Sequence, residues 1–231
     1  MHLAFKCTYC DGGQGEYVGF AGVCSDDNMR RNVQAGRIQC ASGPCRDYCG
    51  RGFSGAKPEP PCFEGTLFTE WFASAGLYDS GPKRNLPIPM KRVQKGSIAV
   101  FTTRFPDEPR EEQRRVVGLF LVGRVGRDRY GSNTLYADPR LRIRFLTATA
   151  RKLHFWDYYR NASGEPRWGS GLFRYLRDDQ VARLLADAQM VLTSEEDKSV
   201  VAEMYEAAFG GSIESAPRPA QRLADAWTPR M

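Results

Sequence analysis

The apolar residues in the middle of the chain follow the patterns of β-strands. Residues 97–103 (SIAVFTT) and 115–125 (RVVGLFLVGRV) are apolar runs rich in β-branched residues, and a charged loop joins them. Residues 140–146 (RLRIRFL) alternate between basic and apolar side chains, so one face of this strand meets the core and the other carries guanidinium groups. We therefore predict three strands, the last with a row of arginines: Arg140, Arg142 and Arg144.

Helical periodicity precedes and follows these strands. Residues 66–76 (TLFTEWFASAG) place their large apolar side chains on one helical face, and this pattern predicts a helix with a buried Trp71. After residue 178 two amphipathic helices are predicted, the second beginning at a capping box formed by Thr193 and Glu196. Strands and helices in this order predict an α+β fold.

The first 62 residues are rich in Gly and Cys and predict a zinc-supported module. Two closely spaced cysteine pairs could supply four thiolates to a structural zinc ion, which binds such sets tetrahedrally. Any of Cys24, Cys49 and Cys62 could replace one member. Buried free thiols and a redox-active CxxC pair are the alternatives. The predicted ligands are Cys7, Cys10, Cys40 and Cys45.

The domain organisation follows from these changes in composition. We predict a Cys-rich module at residues 1–62, a unit of strands with C-terminal helices at 63–211, and a linker or tail at 212–231, where prolines recur. Apolar runs are all too short to span a membrane, and the start MHLAFK lacks the apolar region of a signal peptide. A cytoplasmic location is therefore expected, with no membrane partner.

The net charge of +6 is distributed unevenly. Residues 83–152 hold 17 Lys and Arg against 6 Asp and Glu, whereas residues 178–231 hold 5 against 10. Clustered arginines suit phosphate, because the guanidinium forks onto its oxygens. An arginine face that is merely solvated is the alternative. The residues predicted to bind phosphate are Arg104, Arg140, Arg142, Arg144 and Arg174.

Residues 155–176 (FWDYYRNASGEPRWGSGLFRYL) combine aromatic rings, an amide and arginines around a Gly-rich turn. We call this stretch the aromatic block. Rings stack on the faces of a flat polar ligand while polar groups contact its edge, and a nucleobase is such a ligand. The alternative is that these rings fill the core. The predicted base-binding residues are Trp156, Tyr158, Tyr159, Asn161, Trp168 and Ser170, together with Thr103.

Catalytic motifs are absent from the sequence. The only histidines are His2 and His154, which leaves no metalloprotease-type pair and no plausible nucleophile–base pair, since His154 lies in an aromatic run. Neither a nucleophile elbow nor a P-loop occurs. Acidic residues between 107 and 112 fit a solvated loop. We therefore predict that the chain is not an enzyme and assign no catalytic residue.

Several of these segments together resemble the PUA-like superfamily, which includes EVE, ASCH and YTH domains. The resemblance covers roughly residues 64–190: a helix, the lead-in PIPMKRVQKGSIAVFTTR, then RRVVGLFLVGRV, and a Gly-rich turn running into FRYLRDDQVARLL. The CxxC start, GVCSD, FWxYYxN and WGxGLFRY also resemble bacterial domains that form the N-terminal parts of defence-type proteins. The resemblance implies a small β-barrel with flanking helices.

What the resemblance implies for function is a reader of modified bases. EVE and YTH domains hold one modified base in an aromatic-lined pocket, so we expect binding to nucleic acid, DNA more than RNA, with modified cytosine as the first candidate. A fused or associated nuclease would make the chain the sensor of a restriction or anti-phage system. An RNA-binding domain, an ASCH-like hydrolase acting on a modified nucleoside, and a protein-interaction module are the alternatives.

Overall fold

The computed structural model describes residues 1–59, 61–78, 80–161, 163–169 and 171–216, with side chains at all of these positions except 38 and 39. In chain order, strands β1 to β6 are His2–Lys6, Phe72–Ser74, Ile98–Thr103, Arg115–Arg127, Asn133–Arg144 and Phe173–Leu176. Helices α1 to α7 are Asp26–Gln34, Ile38–Ala41, Pro44–Gly50, Phe63–Glu70, Thr147–Ala150, Asp178–Val191 and Glu195–Phe209.

The strands form one mixed sheet in the order β2-β5-β4-β3-β1-β6. β1 and β3 are parallel and the other neighbouring pairs are antiparallel, so β1, β3 and β5 all end at the same end of the sheet. The sheet curls into a half-barrel, α6 and α7 pack together, and α7 lies against β4 and β5. The predicted α+β class is confirmed.

The three predicted strands are present as β3, β4 and β5, because their apolar positions meet in one core. Phe101 of β3 is fully buried and its ring lies 5.6 Å from that of Phe120 on β4. On β5 the predicted alternation is confirmed: Leu141 and Ile143 are buried, and Arg142 between them is exposed.

The predicted helix over residues 66–76 is wrong in its second half. α4 ends at Glu70, Trp71 takes the left-handed conformation with φ of 53°, and residues 72–74 form β2. Phe72 pairs with Tyr136 and Ser74 with Thr134 on β5, so hydrogen bonds to the sheet edge replace those of a longer helix. The pattern did not reveal this, because a buried Trp is compatible with both structures.

The start of the chain belongs to the sheet and not to a separate Cys-rich module. β1 lies between β3 and β6, so residues 2–6 pair on both sides. Residues 18–29 also contribute buried side chains, Phe20 and Met29 among them, to the core that the sheet fills. A boundary at residue 62 therefore cuts through one shared core.

The predicted tail at 212–231 begins with packed residues. Ile213–Ser215 form a 3-10 turn in which Ile213 is buried, and Ala216 is buried beside it. Residues 217–231 lie outside the described residues. In the described part of the chain, no helix has the length and apolar character needed to cross a membrane.

Candidate functional site

The aromatic block places several predicted rings around Phe155. A 3-10 turn at Phe155–Asp157 buries Phe155 completely. Tyr159 stacks on it with ring centres 5.6 Å apart and an interplanar angle of 18°, and Trp168 lies 5.2 Å from it. Trp156 contacts both Tyr159 and Trp168, at 6.0 and 6.4 Å. These rings thus contact one another directly.

The polar atoms of the buried rings bond to the protein itself. Trp156 Nε1 donates to the carbonyl of Glu111 at 2.6 Å, and Trp168 Nε1 donates to the carbonyl of Gly171 at 3.0 Å. The Tyr158 hydroxyl donates to Asp187 Oδ2 at 3.0 Å, and burial followed by this carboxylate raises the pKa of Tyr158. Trp156, Tyr158 and Trp168 are each buried, so in this conformation a base would first contact the half-buried Tyr159.

Three further base-binding candidates are polar. Asn161 organises the turn that follows it: its Oδ1 accepts from Ser163 Oγ and Glu165 N, and its Nδ2 donates to the carbonyl of Arg167. Thr103 is buried and its hydroxyl donates to the carbonyl of Cys7 at 3.0 Å, which ties β3 to the end of β1. Ser170 lies outside the described residues. The base-binding role of all these residues stays a prediction.

Two guanidinium groups lie against Trp168. Arg114 is 1% exposed, and its guanidinium carbon is 4.8 Å from the ring centre. Arg174 is at 5.4 Å, donates to the carbonyl of Phe173 at 2.8 Å, and bonds to the carbonyl of Trp168. Arg174, a predicted phosphate ligand, is therefore held against the Gly-rich turn.

A group of cations surrounds the carboxylate of Glu111 where β1 and β3 end. Arg114 grips Glu111 with two hydrogen bonds of 2.5 and 3.0 Å, and Arg104 Nε lies 3.7 Å from the same carboxylate. Lys6, the last residue of β1, and Arg37, between α1 and α2, are close enough to act on them electrostatically. We call Lys6, Arg37, Arg104 and Arg114 the basic cluster.

Burial, and then repulsion by neighbouring cations, lowers the pKa of two members of the basic cluster, Lys6 and Arg104. Burial lowers the pKa of Lys6, and Arg114, Arg104 and Arg37 lower it further, while Glu111 raises it. The pKa of Arg104 is lowered chiefly by burial, and Arg114 and Arg37 add to this against Glu111. The basic cluster thus sets four cations against the one carboxylate of Glu111, and this excess of positive charge favours an anion.

The arginine row on β5 is separate from the basic cluster. Arg144 donates to the carbonyls of Val18 at 2.6 Å and Gly13 at 2.8 Å, and burial lowers its pKa. It therefore holds the N-terminal loop against the sheet. Arg142 lies over the ring of Trp71 at 5.3 Å, and Arg140 is exposed. Three strand spacings, about 14 Å, separate β5 from β1.

The four predicted zinc ligands lie in different local surroundings. Cys7 is buried with its Sγ 4.0 Å from the carbonyl of Phe5, whereas Cys10 Sγ lies 3.2 Å from Cys24 Sγ. Cys40 lies in α2 and Cys45 near the start of α3. All seven cysteines are free. Among the described residues, no three His, Cys, Asp or Glu side chains are already arranged to hold a metal ion, and zinc stays a prediction.

Sequence reasoning missed three members of the basic cluster. Lys6 ends an apolar run and is the last residue of a strand, which is a usable signal, because polar residues at strand ends often reach solvent. Arg114 follows the acidic stretch Glu111–Gln113, whose charge pointed to a solvated loop. Nothing in the pattern joins Arg37 to either of them, since 31 residues separate Arg37 from Lys6 in the sequence.

Comparison of the chain with protein-family models, with curated proteins and with solved structures finds no match. The geometry of the basic cluster and of the aromatic block is therefore the basis for a functional conclusion.

Proposed function

We propose that this chain is a nucleic-acid reader that performs no catalysis itself. The observation that carries the proposal is the basic cluster, in which Lys6, Arg37, Arg104 and Arg114 act on one another at one end of the sheet. An anion placed among these cations relieves their repulsion and gains charge-assisted hydrogen bonds. Nucleic acid presents such anions at regular intervals along its backbone.

The members of the basic cluster have different parts in this proposal. Arg114 is fully buried and already paired with Glu111, so it supports the Trp168 ring and fixes the local charge. Arg37 is exposed, Lys6 reaches solvent, and Arg104 is partly exposed. These three are the phosphate ligands that we propose. Arg140 and Arg142 on β5 would contact phosphates farther along the same nucleic-acid strand.

Base recognition follows from the position of the aromatic block beside the basic cluster. Glu111 bonds to Trp156 through its carbonyl and to Arg114 through its carboxylate, so the two sites share this residue. A phosphate held by the cluster places its nucleotide next to the block. We propose that a base inserts at Tyr159 and Asn161, separating Tyr159 from Phe155, with Trp156 and Trp168 behind them. Ring stacking contributes about 1–3 kcal/mol per base, enough for two rings and edge contacts to offset base flipping.

The preferred ligand in this proposal is DNA with a modified cytosine. A methyl or hydroxymethyl group adds contact inside an aromatic site, whereas plain DNA retains only the phosphate contribution. The curled mixed sheet with packed helices supports the further proposal of a PUA-like barrel. Seven free thiols support a reducing, cytoplasmic location. A nuclease is the partner protein of this proposal.

Fluorescence anisotropy with labelled duplexes tests the phosphate contacts. We expect binding that weakens steeply as salt rises. The double variant Lys6→Ala/Arg104→Ala should bind at least about tenfold more weakly, a loss of roughly 1.4 kcal/mol. The matched control is Arg127→Ala/Arg129→Ala. It removes two exposed arginines, one at the last residue of β4 and one just after it, at the end of the sheet opposite the basic cluster, and it should bind like the native chain. Absence of binding to DNA and RNA at low salt would refute the proposal.

The base preference needs its own panel of plain, methylated and hydroxymethylated duplexes. We expect at least about tenfold tighter binding to a modified duplex. Tyr159→Ala should abolish this preference while the salt-sensitive background remains, because Tyr159 is the half-buried ring of the block. Equal affinity across the DNA panel with tighter binding to RNA would shift the proposal to an RNA reader.

A further inference from the structure

Cys24, isolated in the sequence, has the sulfur neighbours expected of a metal ligand. Its Sγ lies 3.2 Å from that of Cys10. Backbone and side-chain N–H groups point at both sulfurs: Gly12 N lies 3.4 Å from Cys10 Sγ, and Asn28 Nδ2 lies 3.4 Å from Cys24 Sγ. Hydrogen bonds from outer partners orient ligands and tune thiolates at metal sites.

Other cysteines are brought toward Cys24 by the packing of short helices. Cys24 immediately precedes Ser25, the N-cap of α1, and α1 packs against both α2, which contains Cys40, and α3, which contains Cys45.

Cys62 reaches the same place from the start of α4. It is the N-cap residue of that helix. The N–H of Gly22 donates to the carbonyl of Gly65 at 2.7 Å, so the helix lies beside the segment that leads to Cys24. Cys10 Sγ contacts the carbonyl of that same Gly22 at 3.6 Å. Segments around residues 10, 22–24 and 62–65 therefore form one contact region.

A buried carboxylate near these thiols has an oxygen without a hydrogen-bond partner. Glu64 is 8% exposed, and its Oε2 has no hydrogen-bond partner among the described residues. Glu64 lies in the first turn of α4, two residues after Cys62 at the N-cap of that helix. An unpaired buried carboxylate oxygen is costly, and a cation or a metal-bound ligand nearby would satisfy it.

We propose that Cys10, Cys24 and Cys62, with one sulfur of the Cys40–Cys45 pair, bind a zinc ion beside Glu64. A tetrahedral site with zinc–sulfur bonds of about 2.3 Å holds its sulfurs about 3.8 Å apart, so the Cys10 and Cys24 sulfurs, which lie 3.2 Å apart, would separate by about 0.6 Å on binding. The remaining sulfurs are not yet in coordination geometry, and the ion draws them together as it binds. Cys7 is not a ligand in this proposal, because its N–H donates to the carbonyl of Thr102 at 2.8 Å and so holds Cys7 against β3 of the sheet.

The native chain, purified under reducing conditions without chelator, provides the first test. We expect about one zinc ion per chain, retained on gel filtration. Alkylation followed by mass spectrometry should find Cys10, Cys24 and Cys62 protected until a chelator is added, while Cys49 near the end of α3 reacts in both states. Failure to bind zinc even after reconstitution would overturn the proposal, as would protection of Cys10 and Cys24 that yields to a thiol reductant and not to a chelator, since that behaviour indicates a disulfide.

Variants then identify the ligands. Cys24→Ser should lose the stoichiometric zinc, and Cys49→Ser and Cys7→Ala should keep it. Zinc retained by Cys24→Ser and lost by Cys7→Ala would overturn the proposal in favour of the CxxC pair. If Cys24→Ser does not fold, cobalt titration of the native chain decides, because four thiolates give intense charge-transfer absorption and tetrahedral d–d bands, and their absence would contradict the assignment.

Discussion

Different interactions stabilise the curled sheet and the N-terminal segment, which runs from residue 7 to residue 62. In the sheet, β4 and β5 are 13 and 12 residues long, and their backbone groups bond to neighbouring strands. The N-terminal segment contains helices of nine, four and seven residues, and non-glycine residues such as Phe20, with φ of 70°, take left-handed conformations. Short helices and such turns are stable only where tertiary contacts impose them.

The difference extends to the satisfaction of buried polar groups. The fully buried strand β3 pairs with β1 and β4, whereas Asn28 Oδ1 and Glu64 Oε2, beside the thiols, have no hydrogen-bond partner in the described part of the chain. Buried polar atoms are almost always paired in folded proteins. On the sheet, Arg115 Nη1 of β4 is also unpaired among the described residues, but the other guanidinium nitrogens of Arg115 bond to Glu108. The unpaired atoms of the segment are instead acceptor oxygens beside thiols, which a bound cation would satisfy.

Of the changes predicted here, removal of zinc should have the largest effect, and it should destabilise the N-terminal segment and not the sheet. Structural zinc sites in small domains contribute on the order of 10 kcal/mol of apparent folding free energy. Chelation should therefore speed hydrogen exchange across residues 8–62, while amides of the β4–β5 ladder stay protected. Hydrogen exchange by mass spectrometry measures both regions in one experiment. Uniform protection before and after chelation would mean that the segment is as self-sufficient as the sheet.

A substitution inside the sheet should destabilise the whole chain without affecting zinc binding. Phe101 is fully buried and contacts Phe5, Phe68 and Phe120, so Phe101→Ala should lower the free energy of unfolding by about 3–5 kcal/mol. Val125→Ala, at an exposed position of β4, is the control and should stay within about 0.5 kcal/mol. Urea denaturation measures both, and a similar small loss in the two variants would contradict the assigned core.

Acid should weaken the sheet through His2 on β1. His2 is 4% exposed, and its Nδ1 accepts from the N–H of Ile98 at 2.8 Å, which requires that nitrogen to be unprotonated. Burial and the N-terminal amino group lower the pKa of His2 from 6.5 to about 4, against the raising effect of Asp178. Between pH 6.5 and about 4, His2 binds a proton in the unfolded chain and not in the folded chain, so the free energy of unfolding falls as the pH falls toward 4.

The loss over that window should be on the order of 3 kcal/mol. His2→Asn should show a flatter profile, because an amide oxygen can accept from Ile98 N–H and does not titrate in this range. Denaturant unfolding of both proteins across the same pH series measures the difference between profiles. Parallel profiles would show that His2 is not the titrating group.

A single methyl group should disturb the N-terminal segment at Gly19. A Cβ at this position would overlap the carbonyl oxygen of Cys10, and the hydrogen bond from Phe20 N to that carbonyl, at 3.0 Å, leaves it little room to move. Gly19→Ala should therefore cost about 1–3 kcal/mol, as overpacking does. Gly15→Ala is the matched control, since nothing lies within 4 Å of its added Cβ. Equal melting temperatures for the two variants would contradict this packing.

How far the sequence predicts the molecule also differs between the two regions. Period-two alternation located β5, because the pleat itself separates Leu141 and Ile143 from the arginines. The position of β1 was missed, since pairing with β3, some 95 residues later, leaves no local trace. The helix predicted through Trp71 failed for a related reason: a strand pairing with β5 outweighed local helical periodicity.

The candidate sites show the same limit. Spacing singled out Cys7 and Cys10, but the sulfur that the fold places 3.2 Å from Cys10 Sγ is that of Cys24, whose spacing gave no such signal. Likewise the arginine row was correctly located on one face, yet Arg144 is used to hold the N-terminal loop. Sequence patterns specify which face a residue occupies, and the tertiary contacts decide what remains free to bind a ligand.

The smallest predicted effect joins the two regions through Arg37. This residue belongs to the N-terminal segment, whereas its neighbours in the basic cluster, Lys6 and Arg104, belong to β1 and the end of β3. If Arg37 contacts a phosphate, Arg37→Ala should weaken binding to all duplexes alike and reduce the salt dependence by about one unit. Anisotropy titrations at several salt concentrations measure this salt dependence. Arg129→Ala, just after the end of β4 and at the opposite end of the sheet, is the control.

Combining this variant with zinc removal tests both proposals at once. In the native chain, chelation should release Arg37 from its position between α1 and α2 and reduce the salt slope by the same amount of about one unit, while in Arg37→Ala it should reduce the slope no further. A slope that falls with Arg37→Ala but not with chelation would keep the phosphate contact and show that zinc does not order the segment. A slope unchanged by Arg37→Ala, in a protein that binds DNA with strong salt dependence, would remove Arg37 from the basic cluster and leave Lys6 and Arg104 as its phosphate ligands.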